Sequence, residues 1–211
     1  MVLDVENLGK TFGRNRIFRD LSFRADIDTP TVILGGNGSG KSTLLRILAG
    51  QMLPSEGKVT YQKNGKAILE DELFRYITWV APALELVEEM TLKELLRFHT
   101  SFRELTISER EFLETLQFDK VKNRQICHFS SGMKQRLQLG LAFYDTSSSL
   151  LFLDEPTMNL DDFYTGWYRQ EMVKQLGKRT VIIASNQKKE YEDFVKQKIF
   201  VDLTKNSPNN P

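Results

Sequence analysis

Cysteine is nearly absent. Cys127 is the single one in 211 residues, which excludes an internal disulfide and fits a reducing compartment. No apolar run approaches the roughly 20 residues that cross a bilayer, so any membrane role has to be borrowed from a partner. The opening stretch, Met1-Val2-Leu3-Asp4-Val5-Glu6, has neither a basic start nor a long apolar core, and a signal peptide is not expected. Net charge is equally scant. Twenty-nine Lys and Arg against 28 Asp and Glu leave +1, with no general attraction to nucleic acid or to an anionic membrane. Histidine occurs twice. Cys127-His128 lacks the further ligands a metal site needs, and His99 reads as a surface or packing residue on a helix. What remains, 40% hydrophobic and 27% charged residues, suits a soluble globular chain of one large or two small domains with a real core.

Against this plain background one stretch stands out. Thr31 to Leu34 is a short β-branched and apolar run, as a buried strand would be, and Thr43 to Ala49 has apolar residues at helical spacing before Gly50. Between them, Gly35-Gly36-Asn37-Gly38-Ser39-Gly40-Lys41-Ser42 matches G-x-x-x-x-G-K-[ST]. Such a loop needs glycine because its backbone must turn N–H groups inward around phosphate oxygens. Lys41 supplies positive charge near the β- and γ-phosphates, the Ser42 hydroxyl can ligate Mg²⁺, and the helix from Thr43 points its positive end at the same anion. Nucleotide binding is the expectation.

Along the chain, Val2 to Glu6 and Ile17 to Phe23 read as strands around a turn marked by Gly13 and Asn15. Phe12, at that turn, is either a core or edge aromatic or a platform for a base. Lys58 to Gln62 and Ala67 to Leu69 flank Asn64-Gly65, a hairpin signal, and Tyr76 to Val80 is a further short strand. Thr91 with Glu94, and Ser108 with Glu111, mark two capped helix starts, with apolar faces through Leu95, Leu96 and Phe98 and through Phe112, Leu113 and Leu116. Residues 83 to about 128 therefore form a helical insertion, whose Glu85, Glu88 and Glu89 read as a solvated face, or more sharply as a patch for a basic segment. An apolar helix follows Phe129-Ser130-Ser131-Gly132-Met133. Leu150 to Leu153 is a buried parallel strand ending in Asp154-Glu155. Helical sequence runs from Asp162 to Leu176, Thr180 to Ala184 is another buried strand, Glu190 to Val195 a helix, and Ile199 to Leu203 a last strand. The polar tail 206–211 is expected to be disordered.

A phosphate loop needs a metal and a way to activate water. Asp154 suits a direct or outer-sphere Mg²⁺ contact, and Glu155 suits a general base for the water that attacks the γ-phosphate. At this point the sequence resembles the ATP-binding-cassette (ABC) ATPase family over nearly its whole length. Gly35 to Ser42 corresponds to Walker A, Leu150 to Glu155 to Walker B with the catalytic glutamate, and Asn159-Leu160-Asp161 to the D-loop. Phe12 falls where the family stacks adenine. Phe129 to Met133 lies where the signature Leu-Ser-Gly-Gly-Gln belongs. The resemblance implies an α/β P-loop fold with a RecA-like core, an antiparallel β subdomain and a helical insertion. The expected division is one cassette over 1–205, with core and β subdomain at 1–82 and 134–205 and the helical part at 83–133. It further implies ATP and Mg²⁺ as ligands, held by Gly35 through Thr43 with Asp154. A second cassette would offer Ser130, Ser131, Gly132 and Met133 to the nucleotide in trans. A transmembrane permease would be the other partner, placing the chain in the cytoplasm at the inner face of the membrane, with no nucleic acid.

Three departures from the family pattern are visible. The signature reads Ser-Ser-Gly-Met, so Ser131 is expected to accept a backbone geometry usually given to glycine, and Met133 cannot hydrogen-bond as glutamine does. Ala81-Pro82-Ala83 stands where the Q-loop glutamine belongs, and proline has no side-chain group for Mg²⁺ or water. Asn186 replaces the switch histidine, and charge-assisted hydrogen bonds are about twice as strong as neutral ones. Firm ATP binding with slow hydrolysis is the expectation. The alternative is a non-catalytic switch subunit beside an active cassette.

Overall fold

The computed structural model describes residues 1–82, 84–187, 191 and 193–201. Two sheets carry the chain. The first is antiparallel, in the order β2-β1-β4-β5, from β1 (Val2–Phe12), β2 (Asn15–Ala25), β4 (Glu56–Lys63) and β5 (Lys66–Ile68). The second is parallel, in the order β6-β7-β8-β3-β9, from β3 (Thr31–Leu34), β6 (Ile77–Val80), β7 (Leu150–Asp154), β8 (Thr180–Ser185) and β9 (Gln197–Phe200). The antiparallel strands run longer than the alternation alone indicated. The Asn64-Gly65 signal is met by left-handed φ at both residues, which lets Lys63 pair with Lys66 across a two-residue turn. Leu203 and the tail 206–211 lie outside the described residues, as do Ala83 and parts of the expected 190–195 helix.

β3, β7 and β8 are buried from end to end, and their side chains alternate between two cores. Ile33, Leu150, Phe152, Ile182 and Ala184 point to one face. There they meet α1 (Lys41–Leu48) through Leu44, Leu45, Ile47 and Leu48, together with Leu3, Val5, Leu8 and Phe18 of the antiparallel sheet. Val32, Leu34, Leu151, Leu153, Val181 and Ile183 point to the other, covered by α4 (Ser131–Tyr144) and α5 (Asp162–Gln175). Burying both faces fixes the register of the central strands, because a slip by one residue would exchange the two sets.

A third core belongs to the helical segment. α2 (Leu92–Thr100) and α3 (Glu109–Thr115) each begin with a complete capping box, Thr91 with Glu94 and Ser108 with Glu111. Leu95, Leu96, Phe112, Leu113 and Leu116 are buried as expected. Phe98 is not: it lies 48% exposed on the outer side of α2, edge-on to Phe102 at 5.3 Å. The apolar face expected through Leu95, Leu96 and Phe98 would turn it inward, but only Leu92, Leu95 and Leu96 fit the narrow stripe that nine residues of helix can bury. α4 belongs to two cores at once. Leu139, Ala142 and Phe143 face the parallel sheet, while Leu137, Leu141 and Tyr144 face α2 and α3. Among the described residues no helix is long and apolar enough to cross a membrane.

Candidate nucleotide site

The phosphate loop runs from the end of β3 into α1, as its sequence requires. Gly38 and Gly40 take φ of 77° and 104°, where a side chain is strained. Space is also short. A Cβ at Gly40 would lie 2.2 Å from Ile17 Cγ2, and one at Gly35 would lie 2.3 Å from Ser39 Oγ and 2.4 Å from the Val201 carbonyl. α1 starts at Gly40 without a side-chain cap, leaving its first N–H groups open to an anion. Ile17 is two residues beyond Asn15, which pairs with Phe12, so the β1–β2 hairpin abuts the loop. Phe12 itself is 47% exposed, not a core residue, with Lys10 Nζ 4.9 Å from its ring centre.

Lys41 is buried beneath the loop. Its Nζ donates to the Gly35 and Gly36 carbonyls at 3.0 and 3.1 Å and lies 3.2 Å from Glu155 Oε1. Glu155 sits one residue past β7 with φ of 44°, a left-handed conformation rarely taken by a residue of this kind, fixed by its N–H donating to the Ala184 carbonyl at 2.9 Å. Its other oxygen accepts from Ser185 Oγ and from the Asn186 N–H, each at 3.4 Å. Asn186 Nδ2 in turn donates to Asn37 Oδ1 at 3.2 Å. Thus Asn37, Lys41, Glu155 and Asn186 form one polar chain across the loop.

Asp154 ends β7, nearly fully buried. Burial pushes its carboxyl pKa up, a bond from the Ser42 hydroxyl pulls it back, and the neighbouring Glu155 charge pushes it up again. Its Oδ1 has no hydrogen-bond partner among the described residues. An orphaned buried carboxylate oxygen beside a hydroxyl is a donor set that fits Mg²⁺, a hard cation taking oxygen ligands. Ser42, Asp154 and Glu155 line a cavity of about 290 Å³ with Arg46, Gln51, Met52, Trp79, Ala81, Pro82 and Leu84. Pro82 thus sits in the wall where the glutamine was missed, and Arg46, Trp79 and Met52 are neighbours that no sequence pattern indicated.

The remaining expected residues lie elsewhere. Ser130 caps α4, its Oγ accepting from the Met133 N–H at 3.2 Å, and both Ser130 and Ser131 are exposed. Ser131 lines an adjoining cavity of about 260 Å³ with Lys134, Gln135 and Asn159, which shares Pro82 and Leu84 with the first. The expectation of a glycine-like geometry at Ser131 is corrected. It is the first residue of α4, outside the positive-φ set, and a helical first turn accepts any side chain. Gly132 is the constrained position, since a Cβ there would lie 2.6 Å from the Asn159 carbonyl. Of the acidic face, Glu88 pairs with Lys134. His99 packs with its Nε2 buried and unpartnered, and burial holds its pKa low.

A phosphate cradle at a switch point of a parallel sheet, with a lysine beneath it and two carboxylates beside it, defines a P-loop nucleotide-binding protein. Residues 18–158 match the ABC transporter family, and the chain belongs to that family as an ATP-binding cassette. It is 31% identical over 202 residues to the Nod factor export ATP-binding protein I of Rhizobium johnstonii, covering 91% of this chain and 63% of that protein. It is 32% identical over 167 residues to the ABC-type transporter ATP-binding protein EcsA of Bacillus subtilis, covering 76% and 66%. The chain therefore spans about three fifths of the Nod factor proteins' length. Among solved structures, an ATP-binding subunit of an ABC transporter superposes with a TM-score of 0.80 at 25% identity, covering 96% of this chain and 87% of its own. An ATP-binding cassette solved as a dimer with ADP and phosphate shares the fold, at a TM-score of 0.76, 21% identity and 95% and 94% coverage.

Proposed function

We propose that the chain binds and slowly hydrolyses ATP as the nucleotide-binding subunit of an ABC transporter, closing on ATP against a second cassette and driving a separate transmembrane permease from the inner face of the membrane. The observation that carries this is the cavity that Ser42, Asp154 and Glu155 line beside an uncapped helix start, with Lys41 and Asn186 both in contact with the Glu155 carboxylate. Backbone N–H groups from Gly35 to Thr43 would cradle the phosphates, with Ser39 and Gly40 shaping the turn. Phe12, ring open to solvent, would stack the base. Ser42 and Asp154 would hold Mg²⁺, which when bound neutralises phosphate charge. Glu155 would take the proton of the attacking water, its carboxylate aimed by Ser185 and the Asn186 N–H. For ATP to seat, Lys41 must exchange the Glu155 carboxylate for phosphate, which frees Glu155 for that task. Ser130, Ser131, Gly132 and Met133 would serve a second copy's nucleotide.

Slow turnover follows from Pro82, which offers the cavity no donor, and from Asn186, whose side-chain amide is a neutral donor beside Glu155. Removing one transition-state donor typically costs about 10²–10³ in turnover. We take residues 1–82 and 134–205 as core and β subdomain and 83–133 as the helical part. A groove of about 210 Å³ between these, lined by Trp79, Val80, Leu84, Leu86, His99 and Leu141, supports a permease contact. Export is favoured by relatives named for Nod factor export. The test compares ATPase rates of the parent, Glu155→Gln and Lys41→Ala. Slow but measurable parental turnover, abolished in both variants, is expected. A parent as inert as Glu155→Gln that still binds nucleotide would instead establish the switch-subunit reading, which Pro82 and Asn186 favour.

A further inference from the structure

The start of α4 is tied to the segment after Glu155 by one face of the helix. Gly132, Gln135 and Arg136 stand at i, i+3 and i+4, so they point the same way. Gly132 lets the helix approach the Asn159 carbonyl, and Gln135 Nε2 donates to the Pro156 carbonyl at 2.9 Å in a buried setting. Arg136 makes the third tie by different means. Its guanidinium lies 4.4 Å from the Phe118 ring centre and 4.0 Å from that of Tyr164, between the helical segment and α5. Its Nε is buried with no hydrogen-bond partner among the described residues, so ring faces and the nearby Asp161 charge, not hydrogen bonds at that atom, hold the group. Both rings reach functional segments. Phe118 packs against Phe129, which precedes Ser130, with ring centres 5.5 Å apart and planes tilted by 36°. Tyr164 is in the first turn of α5, its N–H donating at 2.8 Å to the Asp161 cap. Residues 155–161 return to Glu155 through the Met158 N–H on the Glu155 carbonyl at 3.0 Å.

We propose that Arg136 is a positioning residue whose guanidinium, clamped between Phe118 and Tyr164, holds the Ser130–Met133 turn in register with the 156–161 segment that leads from Glu155. A flat, delocalised cation is needed, because a plane can lie against two ring faces at once, whereas a lysine ammonium is a hydrated point charge on a flexible stem. The functional consequence rests on the proposal that Ser130–Met133 receives a second copy's nucleotide: the surface offered to the partner and the chain's own Glu155 then move as one body.

Amide hydrogen exchange on the full chain tests the clamp without nucleotide. In Arg136→Met, Arg136→Lys and Tyr164→Leu, segments 129–135 and 156–162 should exchange together about tenfold faster, while 35–48 keeps its parental rate. Tyr164→Phe should match the parent, because it keeps the ring and the buried Tyr164 hydroxyl has no hydrogen-bond partner among the described residues. Parental exchange in Arg136→Met, or faster exchange spread evenly over the chain, would overturn the proposal. If the Arg136 variants fail to fold, the contrast between Tyr164→Leu and Tyr164→Phe decides it. A second measurement, ATP-driven pairing in a Glu155→Gln background, should weaken about tenfold in Arg136→Lys with single-cassette Mg·ATP affinity kept. A parent that binds ATP without pairing would refute the proposed pairing, and the exchange data would still judge the clamp.

Discussion

Two carboxylates side by side at the end of β7 have opposite circumstances. Glu155 has Lys41, Ser185 and Asn186 to answer its charge, while Asp154 is buried with one oxygen unmet. Replacing Asp154 by Asn removes a desolvated charge, so Asp154→Asn should stabilise the nucleotide-free chain while removing Mg²⁺ dependence of ATP binding. The gain is about 1 kcal/mol, the scale of one unmade buried bond, or roughly 2–4 °C in Tm for a chain of this length. The sign with pH follows from the raised carboxyl pKa. Ionised Asp154 penalises the parent above that raised value; the penalty fades as pH falls through it and is gone below the ordinary value of 3.8. Melting curves of both proteins should therefore converge in acid. At Asn186 the expected change is in rate: Asn186→His supplies a chargeable donor and should raise turnover about tenfold, measured as kcat at saturating Mg·ATP. The contiguous loop Gly35–Ser42 could be read in the sequence because its spacing is its geometry. The contacts of Lys41 with Glu155 and Asn37 with Asn186 could not, because they join positions more than a hundred residues apart through the β3-β8-β7 register.

At the scale of elements, local chemistry was the best guide where a motif acts within four residues. Both capping boxes form as their spacing indicated, and so does the Asn64-Gly65 turn. Removing either cap, as Thr91→Ala or Ser108→Ala, should cost about 1 kcal/mol in denaturant melts, since one helix-start N–H loses its acceptor. Two readings that depend on a neighbour do not hold. Ser131, as the first residue of a helix, carries none of the expected strain, while the crowded position is Gly132, visible only once residues 156–161 lie beside α4. Phe98 was counted inward by spacing alone. Gly132→Ala follows as the matching prediction: its methyl would displace the Asn159 carbonyl, and ATP-driven pairing should fall while single-site nucleotide affinity, measured by calorimetry, holds.

For the molecule as a whole, nucleotide should act as a stabiliser. A ligand at a hundred times its Kd adds about 2.7 kcal/mol to the folded state, or roughly 5–10 °C in Tm at this size. Mg·ATP should produce that shift in the parent and none in Lys41→Ala, because losing Nζ removes the charge beneath the loop. One mechanical consequence comes from α4, whose side chains are shared between the core on the parallel sheet and the core of the helical segment. Its 14 residues make a rod about 21 Å long. Neither core can rotate alone without dragging that rod, and a tilt of about 10° at one end sweeps the other by ~4 Å. The serine turn rides on the tip of this lever, so a small angular adjustment beside the sheet is geared into a displacement on the scale of a whole side chain.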